Sequence, residues 1–72
     1  MADYNTNRAE CETKAYRAIA KSLRDFGYPD CTDKMIRDTH TAMKQGDKLP
    51  HGIVGMMAES QLRELQEAGV IS

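Results

Sequence analysis

The 72-residue chain carries ten Lys plus Arg against eleven Asp plus Glu, a formal net charge of −1, so nothing in its overall charge favours nucleic acid or an acidic membrane. No apolar run approaches the roughly 18 residues of a membrane span, and the polar residues 1–8 do not read as a secretion signal. A chain this short buries only about 60% of its unfolded surface, and its large apolar side chains are few: four Leu, four Ile, two Val, five Met, one Phe, three Tyr and no Trp.

Residues 1–6 are polar and read as a flexible arm, leaving residues 7–72 as a single helical domain. The first helix is predicted over 7–26. Asn7 suits an N-cap, with Glu10 at the capping-box spacing. Ala9, Tyr16, Ile19, Leu23 and Phe26 recur at helical spacing as one apolar face. Gly27 and Pro29 stop the run.

A second helix is predicted over 32–45, with Thr32 as N-cap and Asp33 in the first turn. Cys31 and Ile36 occupy the positions of a hydrophobic staple. Ile36, Thr39, His40 and Met43 mark the inward face, with Met35 beside it, and Gly46 is the stop.

Pro50 suits the first position of a third helix. Gly52 and Gly55 each cost about 1 kcal/mol inside a helix, so the start is predicted weak or broken and the firm helix runs over 56–68. Its inward face is Met57, Ala58, Leu62 and Leu65, extended by Ile53 and Val54. Gly69 ends it, and Val70 is placed to touch Leu65 in a Schellman cap. The fold class expected is therefore all-α, a small three-helix domain whose first two helices run antiparallel.

Two surfaces stand out. Lys14, Arg17, Lys21 and Arg24 form a basic stripe opposite the apolar face of the first helix, able to meet phosphates or an acidic partner, or to serve as a solvated face. The run His51-Gly52-Ile53-Val54-Gly55-Met56-Met57 is glycine-rich and apolar but lacks the Lys and Ser/Thr of a phosphate-binding loop. Its glycines admit close backbone packing. Two adjacent Met residues cannot share one inward direction, which leaves Ile53, Met56 and Met57 as candidates for an adaptable partner surface.

Catalysis and metal binding find no motif. Cys11, Cys31, His40 and His51 are too widely spaced for a zinc site. Cys11 lies some fifteen residues, about 22 Å, before the end of the first helix and Cys31 begins the next at that far end, so both are expected as free thiols. A helix start could lower the thiol pKa of Cys31, although the staple explains the residue more simply. A pocket of several hundred Å³ is not expected in so short a chain. The third helix makes a poor DNA reader, because residues 50–72 carry one positive and three negative charges.

The segment 50–68, PHGIVGMMAESQLRELQEA, resembles part of a group of small uncharacterised helical proteins of actinobacteria and their phages. That resemblance implies a cytoplasmic accessory protein or phage-encoded regulator and assigns no residue a role. The sequence thus points to a non-enzymatic, cofactor-free regulatory or adaptor protein. It would act on a protein partner or on a second copy of itself. The alternative is a nucleic-acid-associated regulator using the basic stripe.

Overall fold

The computed structural model describes the backbone of residues 4–72 and the side chains from Ala9 onward. Three helices make up the fold, α1 (Tyr4–Phe26), α2 (Asp33–Gln45) and α3 (Gly52–Glu67), with no strand among the described residues. Of the expected arm, residues 1–3 lie outside the described residues. From Tyr4 the chain is helical, so Asn7 sits inside α1 and is not its cap. No Pro or Gly lies between Tyr4 and Arg8, and Asn and Thr cost a helix only a few tenths of a kcal/mol.

At 23 residues α1 spans about 34 Å, far longer than its 13- and 16-residue partners. Only its middle can be covered. Ala15, Ile19, Ala20 and Leu23 are buried, and Tyr16 is half-buried. Ala9 and Phe26 share the expected face but overhang the bundle, and both are exposed. Phe26, 71% exposed, stacks on Tyr28 instead, with ring centroids 6.1 Å apart.

The α1–α2 pair is antiparallel. Glu12 meets Lys44, Tyr16 meets His40, and Arg24 meets Cys31, so one number rises as the other falls. Thr32 caps α2, its Oγ1 accepting from the Met35 N–H at 3.3 Å. Gly46 ends the helix at φ 72°, where a Cβ would be strained. Its N–H and that of Asp47 bond back to Met43 and Ala42. Ile36, Thr39, His40 and Ala42 are buried, and Met43 packs beside them. Cys31 and Ile36 are buried in the same core, as a staple requires.

The third helix is continuous from Gly52, contrary to the expected break, and Pro50 lies before it rather than in its first turn. His51 at φ 67° and Gly52 at φ 56° swing the chain into the helix. The loop carbonyl of Pro50 then folds over the first turn of α3. A Cβ on Gly55 would sit 2.0 Å from that oxygen, so only glycine admits the crossing. The glycine expected to weaken α3 is what lets the incoming loop pack upon it. At the other end, Gly69 N–H bonds to Gln66 and Val70 N–H to Leu65, the expected Schellman pair. Beyond it Ile71 turns back and is buried, a contact no local pattern announced.

Candidate functional site

The buried residues of α3 are Gly55, Ala58 and Leu62, two of the three being small. Its large apolar residues are placed differently. Ile53 is 58% exposed and Met56 64% exposed. They are three residues apart and share one outer face. Met57 is half-buried and packs on the core with Val54 and Leu65. Of the two adjacent Met residues, one thus faces in and the other out. Ile53, expected on the inward face as well as in the partner surface, belongs to the second.

Small side chains on α1 also leave a groove. It runs between the first half of α1 and the second half of α3, with a volume of about 460 Å³. Cys11, Ala15 and Ile19 face Leu65 and Val70 across it, and Lys14 and Glu64 supply polar lining. A space this large was not expected from so short a chain. It exists because Ala15 and Ala18 stand where longer side chains would fill it.

The basic stripe does not stand free as a set of four. Arg17 pairs with Asp33 at 3.9 Å, an exposed contact worth little. Arg24 donates to the Cys31 carbonyl at 2.9 Å and ties the end of α1 to the start of α2. Lys14 lines the groove, and Lys21 is exposed.

Both cysteines are free thiols, Cys11 exposed and Cys31 buried. Burial pushes the Cys31 thiol upward, against the Arg24 charge that lowers it and with the Asp33 charge adding to the rise. The thiol is thus not activated by its place before α2: lost hydration of the thiolate is the largest effect on it. Among the described residues no three His, Cys, Asp or Glu side chains converge as a metal site requires.

Each histidine has its own partners. His51 Nε2 lies 3.1 Å from Asp38 Oδ2, near the start of α3. His40 is completely buried, with Nδ1 2.5 Å from the Tyr16 hydroxyl and Nε2 2.9 Å from the Ser72 carbonyl. The Tyr16 oxygen also lies 3.0 Å from Glu12 Oε2. Helical periodicity placed His40 inside; its partners, 24 and 32 residues away, left no local signal.

Comparison with family models, with curated proteins and with solved structures gave no match.

Proposed function

We propose that this chain is a small non-enzymatic regulatory or adaptor protein that works by protein contact through the outer face of α3. One observation carries the reading: α3 buries Gly55, Ala58 and Leu62 while leaving Ile53 and Met56 largely in water. Leaving two large side chains outside a core this small forgoes about 1.5–3 kcal/mol for each. A flexible Met beside a branched Ile makes a surface that adapts to the shape of another protein. Met57, next to Met56 in sequence, is half-buried and packs on the core. Self-association is the simplest form of the contact, and a cytoplasmic setting suits the free thiols. No helix among the described residues is long and apolar enough to cross a membrane.

The nucleic-acid alternative through Lys14, Arg17, Lys21 and Arg24 has less support, since two of its four cations are held by contacts within the chain.

The test is site-specific photocrosslinking from position 56 of the full chain, with position 21 on α1 as control. Crosslinks from position 56, abolished by Ile53→Lys, are the expected result. Equal yields from both positions, or none from either at high protein concentration and in host extract, would remove the proposal.

A further inference from the structure

Ile53 and the α1–α3 groove open on the same side of the molecule. Glu64 lines the groove and lies eleven residues past Ile53, which is three turns of helix and almost the same direction. Ser60, small and exposed, stands between them on that side. The segment that projects is apolar and uncharged: from Pro50 to Ala58 there is no Asp, Glu, Lys or Arg. The recess on the same face is apolar too. It has about 460 Å³ between Ala15, Ile19, Leu65 and Val70, with one charge of each sign on its two walls, Lys14 and Glu64. A projection and a recess of like chemistry on one face of one chain are what a self-complementary contact needs.

The charges of α3 fix the direction of that contact. Helix α2 carries Asp33 in its first turn and Lys44 in its last, as the helix dipole favours. Helix α3 does the reverse at both ends. Its first turn holds no acid and no side-chain cap, so its positive end is uncompensated. Its last turn holds Glu64 and Glu67 and no cation, where the dipole disfavours negative charge. Among the described residues no ion pair within the chain uses either carboxylate.

We propose that the α1–α3 groove receives the Ile53–Met56 ridge of a second copy, in a two-fold pair whose α3 helices run antiparallel across Ser60. The inference rests on the outer face of α3 being the contact surface, and adds what that face meets. With Ser60 at the crossing, positions equally far from it on opposite sides come level. Ile53 then lies by Glu67 of the second copy, and Met56 by Glu64 of the second copy, both within the span of α3 that walls the groove. The same placement sets Glu64 and Glu67 of each chain beside the uncapped start of the other α3, which corrects both ends of the helix at once.

Two-fold symmetry makes each contact twice and fills both recesses, so the assembly closes at two chains. A foreign partner would have to bring an apolar knob, an apolar recess and a positive end of its own. A second copy already has all three.

Sedimentation of the full chain from about 10 μM to about 1 mM measures pairing. Maleimide alkylation of Cys11, which is exposed and lines the groove, reads whether the groove is filled. The native chain should pair, and Cys11 should react about fivefold more slowly once about four chains in five are paired. Ile53→Lys, at an exposed position, should abolish both effects. Glu67→Lys separates the pair from the single chain. It removes an unfavourable charge from the end of α3, so melting at low concentration should hold or rise. Pairing should nonetheless weaken roughly tenfold, because each dimer loses two contacts between a carboxylate and a helix start. Pairing that Ile53→Lys abolishes while Cys11 reacts equally fast at every concentration would overturn the groove and keep the outer face as the contact. Pairing indifferent to Ile53→Lys would overturn both. A chain that stays single at the highest concentration would overturn the pair, and crosslinking from position 56 to a host protein then decides the outer face alone.

Discussion

Helices α2 and α3 are neighbours in the chain and are specified in opposite ways. Thr32 and Gly46 bound α2 with bonds to residues three to five positions away. Its buried side chains, Ile36, Thr39, His40 and Ala42, lie on one face. By contrast α3 begins on His51, a left-handed residue with no side-chain capping bond, steadied by Asp38 thirteen residues earlier. Its buried side is small and two of its large residues point outward. A helix with local boundaries and a full inner face is a structural member. One entered through a left-handed turn, with Ile53 and Met56 left outside, carries apolar surface in water.

The comparison is broken most forcefully at glycine. Gly55→Ala drives a Cβ to within 2.0 Å of the Pro50 oxygen. Overpacking of about 3 kcal/mol, less about 1 from better helix propensity, leaves a loss of about 2 kcal/mol. At Gly46 a Cβ meets nothing within 4 Å, and Gly46→Ala should cost about 1 kcal/mol, from its left-handed φ alone. Urea unfolding measures both. Equal losses would mean that the loop over α3 is not a tight contact.

Alkali should act on the α1–α2 seam. Tyr16 and Cys31 both titrate above their ordinary values in the fold. Each keeps its proton while the unfolded chain gives it up. Stability is thus fully present below about pH 8.5, the unfolded thiol value, and falls as pH rises past it and past the phenol value near 10. Between those two values only the thiol contributes, so the slope stays below the one-proton limit of about 1.4 kcal/mol per pH unit; past the phenol value Tyr16 adds to it, less than fully because its ring is half-buried. Denaturant midpoints at about pH 8, 9.5 and 10.5 show the decline. Tyr16→Phe should flatten its upper part, whereas Met56→Lys on α3 should leave it intact.

The smallest effects sharpen the contrast at the helix starts. Thr32→Ala removes a side-chain cap and should cost about 1 kcal/mol. His51→Gly relieves a left-handed backbone but gives up the Asp38 contact, and the two offset to within about 0.5 kcal/mol. Thermal unfolding of the two variants side by side decides it. A larger loss at His51 would make that residue the true anchor of α3.

What was legible in the chain follows the same division. The whole of α2 could be read because Thr32, Ile36 and Gly46 act over one or two turns. The end of α3 was legible for the same reason, in Gly69 and Val70. Phe26 kept the right period and still came out exposed, because periodicity carries no information on where a partner helix stops. The roles of Ile71 and of the partners of His40 depend on segments that return from a distance, and that of Gly55 on a Pro50 carbonyl five residues back, whose path over the first turn no side-chain pattern fixes. Ile53 and Met56 were visible as candidates because two neighbouring Met residues cannot point the same way. The groove was invisible, since it is a space left by Ala15 and Ala18 only once α3 lies beside them.

One consequence of the two cysteines remains. They have the same chemistry and very different access: Cys11 opens onto the groove, while Cys31 is sealed in the core. A thiol reagent applied to the native protein therefore has two clocks to run. The fast one registers whatever comes to rest between α1 and α3, and the slow one advances only when the bundle itself comes apart.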